Sequence, residues 1–485
     1  MTDVLILGSG IGGLSSAITL ARMNYRVTVI EKNPDPGGLM RGYSRGGVDC
    51  PVGVHYLGSL GRGQSLRRLF DFMGVSERIP VEPMGTDGVI DRYIFDDFSF
   101  DLPPGIDAFE ESLGKSFPRE RGQIAVIMKG LRETAERLHR LDFLYDPAGN
   151  LPDFDLFRPM GEIFAGLGCS PGLCGVLGVS SYLLGVPVFQ CPAIYYYMTL
   201  SSYLYSSWRL RCSSADMADA FAGRLRELGG EILCGDPAES ILINGRAAAG
   251  AVLRSGREIP APIVIAAVHP AVLLPMLPQG AVRPIYRKKL LNLADTGSIF
   301  SATVGLDASA HEEIGHNIYR LRCRESGEIS GLMYLQVRGS AKRDMNVLSM
   351  IQPSDYEDWE QWKDTVSGRR GEEYREKKRA IAGAMMKEAE TILGPLHGAR
   401  TIDTYSPLTL RDWVSTPRGS TYGVLRSAGQ LLKASSLNRT PVEGLYLAGQ
   451  SVQAPGILGT IIGSLMTVNL ITGPERFRRE VLVGV

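Results

Sequence analysis

Four glycines in six residues mark the first place where this chain can do chemistry. Gly8-Ser9-Gly10-Ile11-Gly12-Gly13 satisfies G-x-G-x-x-G at Gly8, Gly10 and Gly13. That spacing suits a pyrophosphate. Gly8 permits a tight turn, Gly10 lets the backbone approach the phosphates, and Gly13 lets a helix pack closely on a strand. Ile11 and Gly12 lie where that helix begins, and its unpaired N–H groups and positive dipole end favour anions. Glu31 follows at about the 20-residue interval where a carboxylate accepts hydrogen bonds from ribose hydroxyls. A second place is His55-Tyr56, an imidazole that titrates near neutrality beside a phenol, a pair with acid–base capacity.

These residues function only if particular elements hold them. Val4-Leu5-Ile6-Leu7 is a short apolar run, as expected of a strand buried on both faces. After the glycines, Leu14, Ala17, Ile18 and Ala21 fall on one helical face, and Val27–Ile30 forms a second strand ending on Glu31. Strand, glycine turn, helix, strand and acid in that order predict a dinucleotide-binding βαβ unit. Lys32 to Gly38 then carries two prolines and the pair Gly37-Gly38, a loop whose backbone can lie against a ligand, with Leu39 and Arg41 just beyond.

Glu31 followed by Gly37-Gly38 resembles the second-strand segment of two-dinucleotide-fold flavoproteins, which implies FAD rather than NAD. Asp49, Gly53, Val54, His55, Tyr56 and Gly58 resemble the D-x-G-x-H-Y-x-G stretch of the phytoene desaturase, carotenoid isomerase and retinol saturase-like superfamily, with the Asp-to-Gly spacing lengthened here. The resemblance places Val54, His55 and Tyr56 beside the flavin, with an acid–base role for His55 and Tyr56. Ser406-Pro407-Leu408-Thr409, Arg411, Gly419 and Tyr422-Gly423 resemble the T-P-L-T…R…G-x-x-Y-G segment of the same proteins, with Ser for the first Thr. Leu445 to Gly449 reads as the last nucleotide-domain strand. Gln450 stands where many flavoproteins have Asp, and Gly456, Ile457 and Gly459 lead into a helix over Thr460–Ile471 whose N-terminus is expected to face the flavin.

The implied fold is α/β, a glutathione-reductase-type FAD-binding Rossmann domain interleaved with an α+β substrate-binding domain. Residues 1–85, 210–285 and 425–485 are assigned to the first, and 86–209 and 286–424 to the second. Ala215–Leu228 is an amphipathic helix, followed by Gly229-Gly230 and strands near 231–234, 238–243, 248–253 and 263–268. The backbone near Ser240 is placed at the adenine end, and His269 is read as structural. In the other domain Ser301–Leu306, Leu332–Val337 and Val347–Gln352 read as strands, and Tyr356–Leu393 as helical with a solvated charged face. Residues 161–208, dense in Tyr, Leu and Met, suit either packed core or a long apolar tunnel.

The chain has 485 residues, with Lys+Arg and Asp+Glu both 52, a neutral balance that argues against nucleic acid as a partner. Its seven Cys are odd in number and scattered, which predicts reduced thiols in a cytoplasmic protein and no metal site. The first strand starts too early for a signal peptide, and no apolar run reaches the roughly 18 residues of a transmembrane helix. The expected function is FAD-dependent oxidoreduction of C–C or C=C bonds in a long polyene, with a separate electron donor or acceptor and peripheral membrane contact. The alternatives are a flavin amine oxidase-like enzyme and a prenyl-binding protein of the GDP-dissociation-inhibitor type.

Overall fold

The computed structural model describes residues 2–145 and 154–485. Its centre is a five-stranded parallel sheet in the order Glu231–Cys234, Val27–Glu31, Val4–Leu7, Ile263–Ala266, Leu445–Leu447. Val4 pairs with both Val27 and Ile263, so the opening strand lies in the middle of the sheet. All four of its residues are buried, which is why it reads as an unbroken apolar run. Helices Ile11–Arg22, Ser214–Glu227 and Gly456–Thr472 pack on one face. The antiparallel strands Ala238–Asn244, Ala247–Leu253 and Glu258–Pro260 cover the other face with helices Pro270–Met276 and Pro284–Leu291. Ser213 caps the helix Ser214–Glu227 through a capping box with Asp216.

A seven-stranded mixed sheet forms the second half, in the order Arg400–Tyr405, Ser298–Asp307, Met345–Ser354, Ile329–Arg338, Asn317–Cys323, Asp91–Ile94, Ser99–Leu102. Successive side chains leave opposite faces. Met333, Leu335 and Val337 pack with Trp359 and the helix Glu372–Leu393, whereas Tyr334 points to the other side. There the sheet meets the helices Ile106–Ser116, Arg121–Arg140, Met160–Leu167, Pro171–Tyr182 and Ala193–Tyr205. The apolar 161–208 stretch is therefore a helical layer against the sheet.

Two elements differ from expectation. Tyr356–Leu393 is not one helix: a 3-10 segment Tyr356–Trp362 and the helix Glu372–Leu393 are separated by a loop in which Gly368 and Gly371 take φ of +80° and +84°. Those left-handed values suit glycine and interrupt a helix. The C-terminal helix starts at Gly456, earlier than Thr460. No helix among the described residues is long and apolar enough to cross a membrane.

Candidate active site

Each glycine of the first turn has a separate steric reason. Gly8 has φ +98°, and a Cβ there would lie 2.8 Å from the Ala267 carbonyl oxygen. A Cβ on Gly13 would run into the carbonyl of Gly8. Gly10 is different: an added Cβ meets nothing within 4 Å, because this glycine faces open space. Gly12 stands at a variable position of the motif, yet its Cβ would lie 2.5 Å from Gly449 Cα. The turn after the last strand therefore lies directly on the turn after the first. The motif spacing could not show that contact, since its partner is at the far end of the chain.

The open space at Gly10 belongs to a cavity of about 510 Å³. Gly8, Gly10, Ile11 and Gly12 form its floor, and Glu31 and Lys32 stand at one side. Gly38, Leu39, Val54 and His55 line it from the loop that follows, and Gly449, Gln450, Gly456 and Ile457 line it from the last strand and helix. Gly13, Gly37, Arg41, Ser240 and Gly459 are not in its wall. Gly37 packs on Ala218, and the Arg41 guanidinium is taken by Asp219. Pro237 and Ala238, not Ser240, bring the antiparallel strands to the cavity. His269 lines it but is occupied, with Nε2 2.9 Å from Asp295 Oδ1 and Nδ1 accepting from the Ala271 N–H at 3.2 Å.

Glu31 is held in a fixed pose. Its carboxylate accepts from the backbone N–H of Ser9 at 3.1 Å, from that of Asn33 at 2.9 Å, and from the Ser9 hydroxyl. Ser9 Oγ in turn accepts from the Gly37 N–H at 3.1 Å, tying the glycine turn to the following loop. Lys32 does not point its charge at the cavity: Nζ donates to the Asp412 carbonyl at 2.8 Å and to Ser415 Oγ at 2.6 Å. Arg426, which sequence reasoning passed over, is buried and donates to the carbonyls of Ser451 and Ala434, fixing the turn after Gly449. Burial pushes its guanidinium pKa down. Its long-range partners leave no local signal in the sequence.

His55 and Tyr56 face different spaces. Both ring nitrogens of His55 are sealed from solvent, and neither has a hydrogen-bond partner. Burial, reinforced by the Arg338 guanidinium, pushes the imidazole down to about 4, so it is neutral at pH 7. An unpartnered imidazole in a cavity wall is costly unless something in the cavity bonds to it. Tyr56 is absent from this wall. It lines a second, smaller cavity of about 160 Å³ with Leu66, Leu183, Tyr195, Met198 and Tyr203. Gly456 and Ile457 line both cavities, so the two meet at the start of the C-terminal helix.

A buried polar network backs the second cavity. Tyr56 and Tyr319 share a hydroxyl–hydroxyl bond of 2.8 Å, and the Tyr56 ring lies 5.0 Å from that of Tyr203. The Tyr203 hydroxyl donates to Asp91 Oδ1 at 2.7 Å, and Asn317 Nδ2 donates to the same oxygen at 2.9 Å. Burial pushes the Asp91 carboxyl up to about 7, against the two hydrogen bonds that favour its charge. Tyr334 and Gln336 both donate to Asn317 Oδ1, at 3.1 and 3.3 Å. Among the described residues no cluster of His, Cys, Asp or Glu is built to hold a metal ion.

The NAD(P)-binding Rossmann-like domain family matches residues 6–73, the strand, glycine turn, helix and second strand just described. All-trans-retinol 13,14-reductase of Rattus norvegicus is 25% identical, over 97% of this chain and 85% of that protein. Prolycopene isomerase of Arabidopsis thaliana is 24% identical over 100% and 85%. All-trans-zeta-carotene desaturase of Myxococcus xanthus is 25% identical over 54% and 51%. Along nearly its whole length this chain is similar to the retinol reductase and the prolycopene isomerase. An oxidoreductase of Methanosarcina mazei shares the fold, with a TM-score of 0.68 at 15% identity over 96% of this chain and 100% of that one. In this chain one Rossmann-like unit carries the glycine turn, and the mixed sheet carries the adjoining helical layer.

Proposed function

We propose that this chain is an FAD-dependent oxidoreductase acting on C–C or C=C bonds of a long apolar polyene, a retinoid, carotenoid or related isoprenoid, as saturase, desaturase or cis–trans isomerase. The observation that carries the reading is the meeting of two cavities at Gly456 and Ile457. One lies over a phosphate-binding turn, and the other is walled mainly by Tyr, Leu, Met and Ile beneath the helix Ala193–Tyr205. The full-length similarity to a retinol reductase and a prolycopene isomerase supports the substrate class.

The residues fit FAD. The space at Gly10 admits a pyrophosphate that any side chain would crowd, Glu31 is posed to accept from a ribose, and the cavity extends past both to His55 and Ile457. Bound there, FAD supplies hydride chemistry at its ring system. Gly8, Gly10, Ile11, Gly12 and Gly13 shape the phosphate turn, and Gly38, Leu39, Gly449 and Gln450 flank it. His55, neutral and without partners, offers a hydrogen bond to the ring, while Val54 and Ile457 exclude water around it. Tyr56 presents its ring to the substrate side. Residues 1–85, 210–291 and 425–485 then form the cofactor unit, the boundary moving from 285 to 291 because the helix Pro284–Leu291 packs whole on the parallel sheet, and 86–209 and 292–424 form the substrate unit. The proposal includes a separate electron donor or acceptor.

The proposal includes a cytoplasmic protein that touches a membrane surface. All seven cysteines are free, as in a reducing compartment. Ile285, Leu291 and Leu432 are 73%, 61% and 90% exposed. Gln430 ties the two segments that carry them through the backbone of Ala294. Arg283, Lys288, Lys289 and Lys433 surround them, a combination suited to an anionic bilayer.

The reading is tested by colour and by mass. Purified protein should be yellow, and Glu31→Ala should weaken FAD binding by at least about 10-fold, given the strength of hydrogen bonds to charged groups. Anaerobic incubation with retinoid- and carotenoid-sized polyenes should give product two hydrogens heavier, two lighter, or isomerised at constant mass. Protein that stays colourless after FAD addition would sink the proposal.

A further inference from the structure

One wall of the large cavity comes from a segment remote in sequence from the rest. Leu410, Trp413, Val414, Ser415 and Thr416 line it next to Lys32 and Asn33. They belong to the helix Pro407–Val414 and the turn after it, where Ser415 takes a left-handed φ of +58°. The segment is strapped to the end of the strand Val27–Glu31. Lys32 Nζ grips the Asp412 carbonyl and Ser415 Oγ, and Asn33 Nδ2 donates to the Trp413 carbonyl at 3.2 Å. From the other side, Arg370 and Arg411 both pair with the Asp412 carboxylate.

The backbone of Trp413 is therefore fixed, yet its side chain is not covered. It is 51% exposed, while Trp359 and Trp362 are 0% and 8% exposed. An indole is a large apolar surface, and leaving half of it in water forgoes burial that its neighbours achieve. Arg254 also lines this end of the cavity, is exposed, and enters no ion pair among the described residues. An uncovered indole and a free guanidinium beside a posed ribose acceptor match the two groups that stack on a purine: an aromatic face and a planar cation.

We propose that Trp413 and Arg254 hold the adenine ring of the bound dinucleotide, under a strap closed over it by Lys32 and Asn33. The proposal rests on the FAD reading above and adds to it the residues that recognise the adenosine half. It also gives Lys32 a different task from direct contact with the cofactor: it positions the strap.

FAD and FMN separate this role from a structural one, because FMN lacks the adenosine. Affinities of the purified protein for both are measured by flavin fluorescence for the parent, Trp413→Ala and Trp413→Phe. Trp413→Ala should weaken FAD about 10-fold, Trp413→Phe should restore it to within about 3-fold, and neither should move FMN, in line with the strength of base–aromatic stacking. Arg254→Ala should act in the same direction and spare FMN. Unchanged FAD affinity in Trp413→Ala, or equal losses for FAD and FMN, would overturn the adenine assignment and leave the FAD reading standing. A parent protein that binds no FAD would overturn both.

Discussion

At the scale of single residues, the site depends on side chains that lack partners and on one that holds a proton. His55 lies against the cavity with both nitrogens unbonded, and Asp91 is sealed behind the tyrosines. The folded protein keeps the Asp91 proton up to about pH 7, whereas an unfolded chain releases it near the ordinary 3.8. The stability from this group is therefore complete below about pH 4 and is lost progressively as pH rises through 7. Asp91→Asn cannot ionise, and its amide oxygen still accepts from Tyr203. Its melting temperature relative to the parent should rise by several degrees between pH 5 and pH 8, read by differential scanning fluorimetry. His55 acts in the opposite sense: its folded value of about 4 lies below the ordinary 6.5, so its contribution is lost as pH falls from 6.5 toward 4. The glycines and Glu31 were legible because local sterics dictate them. The contents of the Asp91 network were not, because Asn317, Tyr203 and Asp91 come together only through sheet pairing and helix packing.

At the scale of elements, the βαβ unit was legible in full, since each part is set by its neighbours within about 30 residues. Three strands of the mixed sheet, Ser298–Asp307, Ile329–Arg338 and Met345–Ser354, are legible nearly at their centres, because alternating apolar residues reveal a two-faced sheet, whereas Asn317–Cys323 and Arg400–Tyr405 give no such signal. The stretch after Tyr356 was misjudged as one helix. Its dense charge continues across the break, and the glycines Gly368 and Gly371 mark it. The segment Pro407–Thr416 gave a motif but no position, since its anchors on Lys32 and Asn33 are set by the docking of one sheet unit on another. Gly12→Ala tests the packing between elements. A methyl 2.5 Å from Gly449 Cα forces two backbones apart, so the variant should lose about 1–3 kcal/mol and retain less flavin on purification. Gly10→Ala, with open space around its Cβ, should leave the fold intact and impair flavin binding alone.

At the scale of the whole molecule, a parallel sheet carries the glycine turn and a mixed sheet carries the apolar helical layer. Ile285, Leu291 and Leu432 are exposed on segments joined by Gln430, and the nearby Arg283, Lys288, Lys289 and Lys433 enter no ion pair among the described residues. Vesicles of mixed neutral and anionic lipid should sediment the protein, and neutral vesicles should carry down far less of it. Lys288→Glu with Lys289→Glu should abolish the difference, and raised salt should weaken it, since a surface potential is screened within about 10 Å at 0.1 M. Neither charge lies in a wall of the two cavities, so flavin content should not change.

The contact of Gly12 with Gly449 also constrains how the protein is made. The opening strand leaves the ribosome long before the strand Leu445–Leu447 and the turn at Gly449, which lie more than 400 residues later in the chain. Until they arrive, the sheet lacks an edge and the phosphate turn lacks a neighbour. The βαβ unit must therefore wait, partly assembled, while the residues between are made, with its apolar strands exposed to wrong pairings. Cofactor capture becomes a late event in biogenesis, and trimming the chain before residue 440 should remove flavin binding altogether rather than reduce it.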